Sequence, residues 1–274
     1  MKTNTQYDGG DGQQYPIEPE PIDKPTDTRT DVLSFSINGD WGHFRRVEGN
    51  TVKQTYRIIP RTTVAGIIAA ICGYDRDSYY DHFTAENADI AVTPVTELRT
   101  MNMMMNTLPT AHGNMTTIHS ADGATLKSPM GADHRKQHNY ECLVDPEYRI
   151  DIRLASESVY QTLKHQLENN NTAYPISLGK SEYLASIKYN GEFEATQLTE
   201  DVHDIDSAIP DGIDAVVPTA DCEIRTEQSP TEMKMNSGRR RMNGRTPWVY
   251  SPTAESIPTK SEPFDIGGEK VLFS

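Results

Sequence analysis

Basic and aromatic side chains gather in residues 39–73, which read GDWGHFRRVEGNTVKQTYRIIPRTTVAGIIAAICG. A turn with one tryptophan and two arginines precedes a polar stretch, a tyrosine, a proline, Arg-Thr-Thr and an apolar run of small residues. The first turn of a helix has unpaired N–H groups that bind anions, and basic side chains strengthen such a site. Aromatic rings beside it can stack on bases. The segment therefore predicts a loop, a strand end and a helix start that bind a nucleic acid.

Nine side chains of this segment are candidates for that contact because they are basic, aromatic or hydroxylated. They are Trp41, His43, Phe44, Arg45, Arg46, Tyr56, Arg61, Thr62 and Thr63. Alternatives stay open for several of them. The two neighbouring arginines can form surface ion pairs with the many carboxylates, the tyrosine can pack on a sheet, and Thr62 can cap a helix.

Two further segments carry basic groups. Gly179-Lys180-Ser181 can hold a phosphate or form a tight turn with a solvated lysine. It is not a Walker A loop, because the upstream glycine and the spacing are missing, so ATP hydrolysis is not expected. The one basic cluster in this acidic chain consists of Arg239, Arg240, Arg241 and Arg245. We expect Lys180 and this cluster to contact nucleic acid, or the cluster to be a solvated charge run or a partner site.

The elements that must position these residues follow from hydrophobic patterning. Strands are predicted at 31–37, 89–100, 141–154 and 186–193, and helices at 60–72 and 156–169. Pro60 begins the first helix with Thr62 or Thr63 as cap, and Ser156 caps the second. The order β-α-β-β-α-β predicts an α+β, ferredoxin-like (RRM-type) fold with four strands over two helices.

The remaining residues divide the chain into three parts around this domain of residues 30–199. Residues 1–29 have almost no apolar content and predict a disordered tail. Residues 101–140 show no sustained period and predict a long insertion. Residues 200–274 predict an irregular β-rich extension, with short strand candidates at 214–218, 222–226, 248–251 and 270–273.

Two motifs resemble a known family. The order Gly39, Gly42-His43-Phe44-Arg45, Thr55-Tyr56, Pro60-Arg61-Thr62-Thr63, Gly66 resembles the N-terminal signature of the "Cas five" subunits of type I CRISPR interference complexes (Cascade), which belong to the RAMP superfamily. The segment 174–185, YPISLGKSEYLA, resembles the glycine-containing loop before the family's last core strand. The resemblance spans roughly residues 31–190 in order and is greatest to the type I-B branch.

This resemblance implies a non-catalytic subunit that holds the 5′ repeat-derived handle of the CRISPR RNA in antiviral defence. The partners it implies are the CRISPR RNA, the Cascade backbone subunit and the large PAM-reading subunit, and through these the target DNA. The insertion at 101–140 corresponds in position to the family's "thumb", which reaches over the RNA. No cofactor is implied. A plain RRM-like RNA-binding module outside CRISPR biology remains an alternative.

Metal-independent RNA cleavage is a second alternative, because in the type I-C branch the corresponding subunit cuts the CRISPR transcript. Histidine, tyrosine and lysine can serve as the base and the acid of such a reaction. The candidates are Tyr56, His43, Lys136 and His138, although no compact triad is evident. His134 and His138 have an HxxxH spacing without an obvious carboxylate ligand, so no metal site is expected.

The charge of the chain conflicts with nucleic-acid binding in ordinary salt. The formal net charge is −14 and the pI is about 5.0, so a polyanion is repelled at long range. At ~1 M salt the Debye length falls to about 3 Å and this repulsion disappears. The composition therefore predicts a salt-adapted protein, in which the aromatic rings of Trp41, Phe44 and Tyr56 matter at least as much as the arginines. An acidic protein that never meets nucleic acid is the alternative.

The sequence predicts neither a membrane span nor a signal peptide. It contains no run of about 18 apolar residues, and its N-terminus lacks an apolar core. The three cysteines, Cys72, Cys142 and Cys222, are far apart and form no CxxC motif. We therefore expect a cytoplasmic protein in a reducing compartment.

Overall fold

The computed structural model describes residues 20, 22, 30–46, 52–107, 136–199, 202–220 and 222–274, together with the backbone of four further short strands. The strands, in chain order, are β1 (Tyr7–Asp8), β2 (Gln14–Tyr15), β3 (Asp31–Asn38), β4 (Trp41–Gly42), β5 (Phe44–Arg45), β6 (Val52–Lys53), β7 (Thr55–Tyr56), β8 (Ala88–Pro94), β9 (Thr100–Thr107), β10 (Met115–His119), β11 (Thr125–Pro129), β12 (Lys136–Val144), β13 (Glu147–Leu154), β14 (Ser186–Glu194), β15 (Thr196–Gln197), β16 (His203–Ile205), β17 (Ile209–Pro210), β18 (Arg225–Asn236), β19 (Arg239–Tyr250), β20 (Ile257–Thr259), β21 (Phe264–Ile266) and β22 (Glu269–Val271). The α-helices are α1 (Arg61–Cys72) and α2 (Glu157–Glu168), and short 3-10 helices lie at Tyr80–Phe83 and Ile213–Ala215.

Four strands form the central sheet in the order β14-β3-β13-β8, and each neighbouring pair is antiparallel. Along the chain these strands and the two α-helices follow the predicted order, β3-α1-β8-β13-α2-β14. Because side chains alternate across a strand, β3 directs Leu33, Phe35 and Ile37 into the core that also contains the buried residues of α1 and α2. Val32 points to the opposite face and packs with residues of β8, β21 and β22. Both faces of the sheet are therefore covered.

Helix α1 begins at Arg61 and has no side-chain cap. Pro60 occupies the cap position with a φ of −59°, which its ring favours. The Pro60 carbonyl accepts the N–H groups of Thr63 and Val64 at 2.7 and 3.1 Å. The prediction that Thr62 or Thr63 caps the helix is wrong, because both lie inside its first turn.

Helix α2 begins as predicted. Ser156 precedes its first residue, and the Ser156 hydroxyl accepts the N–H of Val159 at 3.4 Å.

The end of α1 is a glycine cap: Gly73 has a φ of 83° and donates its N–H to the carbonyl of Ala69 at 2.9 Å. Glycine is favoured here because a left-handed backbone costs it little.

The predicted strand 141–154 is two strands, β12 and β13. Asp145 takes a φ of 47° between them, and Pro146, which has no N–H for a strand ladder, follows. The chain therefore turns out of one sheet and into the central sheet at this point. The predicted strand 89–100 is also shorter in the structure, since β8 ends at Pro94.

The insertion predicted at 101–140 is largely paired strand. β9 and β12 are antiparallel from the pair Thr100–Leu143 to the pair Thr107–Lys136, and β10 pairs with β11. We call the β9–β12 pair the arm. Of its residues only Cys142 and Leu143 are buried, so no face requires an unbroken apolar pattern, and this explains why the sequence shows no period. Residues 108–114, 120–124 and 130–135 lie outside the described residues.

The C-terminal residues 200–274 contain a longer element than expected, an antiparallel hairpin of β18 and β19 with 12 residues in each strand. The strand candidate 214–218 is not a continuous strand, because Ile213–Ala215 is a 3-10 helix, and only Val216 forms a β-bridge, with Thr259. The candidates 222–226, 248–251 and 270–273 overlap β18, β19 and β22. At the base of the hairpin, Trp248 and Tyr250 belong to the main core.

The tail predicted at 1–29 lies outside the described residues, apart from residues 20 and 22 and the backbone of β1 and β2, which pair with each other. Within the part of the chain that the structure describes, no helix has the length and apolar character needed to cross a membrane.

Candidate nucleic-acid interface

The two sequence motifs, 39–46 and 174–185, meet in the structure. Gly179 lies so close to His43 that an added Cβ would stand 2.1 Å from the His43 carbonyl oxygen. The His43 N–H donates to the carbonyl of Leu178 at 2.9 Å. Gly39 is also crowded, though less so, since a Cβ there would stand 2.8 Å from the carbonyl oxygen of Leu184. The glycines of both motifs therefore allow two backbone segments to touch.

The start of α1 joins the same region. A groove of about 200 Å³ runs between α1 and the second motif, and its lining includes Thr63, Gly66, Ser177 and Gly179. The loop, the helix start and the glycine loop that the sequence singled out thus lie side by side.

An aromatic and basic cluster lies at this junction, and we call it the His–Tyr–Lys cluster: His43, His138, Tyr140 and Lys180. The His43 and His138 rings stand edge-on to the Tyr140 ring at centroid distances of 5.1 and 6.2 Å. The Lys180 ammonium lies 4.5 Å from the Tyr140 ring centroid, a cation–π distance. His138, Tyr140 and Lys180 are partly exposed, whereas His43 is buried. The cluster therefore presents a ring and a cation to solvent.

His43 is held neutral beneath this surface. Burial lowers its pKa, and the charges of Lys180 and Arg45 lower it further, against the opposing effect of its backbone hydrogen bond. Its Nδ1 lies 2.8 Å from the carbonyl oxygen of Glu141, which can only accept, so Nδ1 carries the proton. Its Nε2 is buried and has no hydrogen-bond partner among the described residues.

A partly buried polar network supports the cluster from below. Arg57 Nη2 donates to Glu141 Oε1 at 2.7 Å, and the Thr55 N–H donates to Glu141 Oε2 at 3.1 Å. Burial by itself would raise the pKa of Glu141, but these hydrogen bonds and the charges of Arg57 and Arg46 outweigh it and lower the pKa. Glu141 is therefore a firmly ionised anchor for the strand that carries Tyr140.

The same network reaches the base of the C-terminal hairpin. Glu227 accepts the N–H groups of Arg57 and Ile58 at 3.0 and 2.7 Å and pairs with Arg46 at 3.3 Å. Burial raises the pKa of Glu227, and the two N–H groups and the arginine charges only partly offset this. Arg46 also lies 5.1 Å from the ring centroid of Tyr56. Arg46 thus forms an ion pair, as the sequence left open, but its partner is a buried carboxylate and not one on the surface.

Four of the predicted contact residues are buried, and their side chains offer no surface to a ligand. They are His43, Phe44, Tyr56 and Arg61, each at most 2% exposed. The predicted direct contact of these four side chains with RNA therefore has almost no accessible surface in this structure. Phe44 and Tyr56 pack in the main core. The Arg61 guanidinium donates to backbone carbonyls of Phe83, Thr84, Ala88 and Ser274.

The remaining predicted contact residues are accessible to different degrees. Arg45 and the arginines of β19 that were singled out, Arg239, Arg240, Arg241 and Arg245, are exposed. Trp41, Thr62, Thr63 and Lys180 are half-buried. Lys180 also pairs with Glu182 at 3.4 Å. The hairpin arginines are not part of the His–Tyr–Lys cluster, so the predicted residues form two separate groups.

The four candidates for RNA cleavage are not assembled into one site. Tyr56 is in the core, and Lys136 lies at the exposed first residue of β12. His43 and His138 do come together, on two sides of Tyr140. His134 lies outside the described residues, and among the described residues no three His, Cys, Asp or Glu side chains are grouped as metal ligands.

Sequence reasoning missed the residues that organise the site: Tyr140, Glu141, Arg57 and Glu227. Arg57 follows directly after the Thr55-Tyr56 motif, so its place in the sequence was a usable signal. Tyr140 and Glu141 fall at the boundary of a segment without period, and Glu227 lies 170 positions from the Arg57 N–H that it accepts. No local pattern identifies such partners.

Comparison with known proteins gives one family. The family model described as CRISPR-associated protein (Cas_Cas5) matches residues 32–250. No curated protein sequence matches the chain. Among solved structures, a chain of "CRISPR RNA-guided surveillance complex" is similar at a TM-score of 0.49 and 10% identity, covering 83% of this chain and 91% of that chain. A chain of "Cryo-EM structure of the Type III-B Cmr-beta bound to cognate target RNA and AMPPnP, state 1" is similar at a TM-score of 0.44 and 10% identity, over 84% and 86% of the two chains.

Proposed function

Since this chain belongs to the CRISPR-associated protein (Cas_Cas5) family, we propose that it is a non-catalytic, RNA-binding subunit of a type I-B CRISPR interference complex. In this proposal it holds the 5′ repeat-derived handle of the CRISPR RNA. The observation that carries the proposal is the His–Tyr–Lys cluster at the meeting point of the two motifs, where Lys180 lies over the ring of Tyr140.

The chemistry of the cluster suits single-stranded RNA. Proteins bind single strands by stacking bases on aromatic rings and by placing cations along the backbone. Tyr140 and His138 offer partly exposed rings, and Lys180 offers a cation over the Tyr140 ring. Arg45 is an exposed cation two positions from His43. Thr63 adds a hydroxyl in the adjacent groove. In the proposal, Tyr140 takes the stacking role that the sequence assigned to Phe44 and Tyr56.

We infer further that the central sheet and its two helices are the ferredoxin-like RAMP domain and that the arm is its thumb. Met101 and Met104 on β9 are 46% and 68% exposed. Methionine adapts to irregular surfaces, so we assign the arm to the contact with the neighbouring backbone subunit. The large PAM-reading subunit would dock elsewhere, and target DNA would be reached through these partners. The three cysteines are free, which agrees with a cytoplasmic protein.

The net charge of −14 supports a salt-adapted protein. Counterion release contributes little to binding when the salt concentration is already high. Affinity must then come from stacking, hydrogen bonds and short-range contacts. We therefore propose that the ring of Tyr140 contributes more than the charge of Lys180 under the protein's own conditions.

The proposal is tested by purifying the tagged protein with its partners in about 2 M potassium chloride, where charges are screened within a few ångströms, and sequencing the bound RNA. We expect small RNAs with uniform 5′ ends that carry one repeat-derived handle. Tyr140→Leu is expected to weaken binding about 5- to 150-fold, because stacking contributes about 1–3 kcal/mol per base. Lys180→Gln should weaken binding strongly in low salt and less in high salt.

Two controls accompany this prediction. Tyr140→Phe keeps the ring and should bind normally, and Lys260→Gln makes the same charge change at an exposed residue of another region. Each variant is checked for folding by thermal melting. RNA with heterogeneous 5′ ends, or unchanged binding by folded Tyr140→Leu, would refute the proposed role of the cluster.

Endoribonuclease activity remains a second candidate because His43 and His138 flank a tyrosine with a lysine nearby. A neutral, buried His43 has the protonation state of a base but lacks access to a 2′-hydroxyl. We therefore expect the purified protein to leave a CRISPR repeat transcript intact in the presence of EDTA. The non-catalytic assignment would be overturned if a repurified wild-type sample cleaved the transcript again and His138→Ala abolished that cleavage.

A further inference from the structure

The β18–β19 hairpin carries a cationic outer face near its tip. Lys234 is directly opposite Arg241, and Asn236 is directly opposite Arg239. Side chains alternate along each strand and paired residues share a face, so Lys234, Arg239 and Arg241 lie together. All three are exposed. We call them the hairpin cations.

This concentration of charge is unusual for the chain. Residues 234–245 contain five of its 26 basic residues and none of its 40 acidic residues. Lysine directly opposite arginine is an unfavourable cross-strand pair unless an anion lies between them. The arrangement is therefore one that a polyanion would stabilise.

Few internal partners neutralise the hairpin cations. Among the described residues, the side chains of Arg239 and Arg241 have neither a hydrogen-bond nor an ion-pair partner, and that of Lys234 has only Glu232 at 3.8 Å. Arg240, on the other face, pairs with Asp77 and so ties the hairpin to the body of the protein. The outer face is thus held in place while its cations remain available.

The face contains no aromatic residue. From Pro230 to Pro247 the chain has no Phe, Trp, Tyr or His. Proteins that bind single strands need rings for stacking, whereas a duplex has its bases already stacked and offers mainly phosphates. A B-form major groove also exposes guanine atoms to arginine, while the A-form major groove is too narrow for side chains. We propose that the hairpin cations bind the backbone of duplex DNA.

This site is distinct from the one in the proposed function. Glu227, near the hairpin base, contacts Arg46 and the network below the His–Tyr–Lys cluster. Lys234 is seven residues further along β18 than Glu227, which at ~3.3 Å per residue places it about 23 Å from Glu227. The protein can therefore hold RNA at one place and a DNA duplex at another, and each activity can fail without the other.

The test measures binding of the full chain to a short labelled DNA duplex by fluorescence anisotropy from about 50 mM to about 1 M salt. Phosphate contacts are strongly salt-dependent at the low end of this range, and long-range repulsion by the net charge is screened at the high end. The variant Lys234→Gln/Arg239→Gln/Arg241→Gln is compared with Arg99→Gln/Arg225→Gln/Lys260→Gln, which makes the same charge change at exposed residues elsewhere. The hairpin variant should reduce the slope of log K against log salt by about 2 to 3, since each lost phosphate contact removes nearly one. The control should leave the slope nearly unchanged.

Two further measurements make the assignment specific. Single-stranded RNA binding should survive in the hairpin variant and fall in Tyr140→Leu, and an RNA duplex should bind more weakly than the DNA duplex. Arg241→Gln alone removes the like-charge pair, so it should keep or raise the melting temperature while weakening duplex binding. Equal duplex binding by the hairpin and control variants, equal losses for single-stranded RNA, or equal binding of the RNA duplex would each overturn the proposal.

Discussion

Replacing Gly179 by alanine is expected to separate the two motifs, to destabilise the fold and to lower RNA affinity. Gly179 has a φ of 91°, a conformation that costs an L-residue about 1–3 kcal/mol. The new Cβ would also stand 2.1 and 2.8 Å from the carbonyl oxygen and carbon of His43, and such overpacking costs about a further 1–3 kcal/mol. The free energy of unfolding should therefore fall by about 2–6 kcal/mol.

Gly268→Ala is the matched control for this substitution. Gly268 has a φ of 97°, but nothing lies within 4 Å of an added Cβ. Urea unfolding of both variants separates the two effects, because Gly268→Ala carries the backbone strain without the clash. In the fraction of the Gly179→Ala variant that remains folded, the neighbouring Lys180 should no longer lie over the Tyr140 ring, and the affinity for RNA should drop. Equal destabilisation by the two variants would show that the two motifs are not held in contact.

Replacing Arg61 by methionine is expected to destabilise the fold by about 3–5 kcal/mol, because buried carbonyl groups would lose their donors. The Arg61 side chain is almost completely buried at 1% exposure. Its guanidinium joins the 3-10 helix region, the start of β8 and Ser274 through backbone carbonyls. Burial lowers the pKa of Arg61 to about 10, so the group remains protonated at neutral pH.

The effect should be on stability and not on RNA contact. Chemical denaturation should show the loss, and Arg61→Lys should restore only part of it because an ammonium cannot reproduce the planar fork. Arg99→Met is the control, since Arg99 is exposed and its ion pair with Asp145 at 3.5 Å should contribute at most about 1 kcal/mol. If folded Arg61→Met lost RNA at unchanged stability, Arg61 would be a contact residue after all.

The central elements were predictable because their signals are local. The alternation in β3 and the helical spacing of Val64, Ile67, Ile68 and Ile71 in α1 reflect faces buried in the core. Ser156 could be recognised as a cap from its position alone. The arm and the β18–β19 hairpin were not recognised, because much of their surface is exposed and exposure leaves no apolar period to read.

The candidate site was predictable in place but not in its residues. The glycines of both motifs marked a close approach, and the structure brings Gly179 against His43. Aromatic and basic residue types, however, do not reveal whether a side chain points inward. Arg46 pairs with Glu227, whereas Arg45, its neighbour, remains exposed.

The order of the four central strands and two helices, the Ser156 cap of α2 and the two motifs that indicate the CRISPR-associated family follow from the amino-acid sequence, because periodicity, capping and glycine spacing act over a few residues. Which cations and rings face solvent follows from contacts between distant segments. Arg61 is internal because carbonyls from three other segments converge on it, and Tyr140 belongs to the site because β12 carries it beside Lys180. Burial of a charged or aromatic group depends on such distant partners, and the pattern of neighbouring residues in the sequence does not identify them.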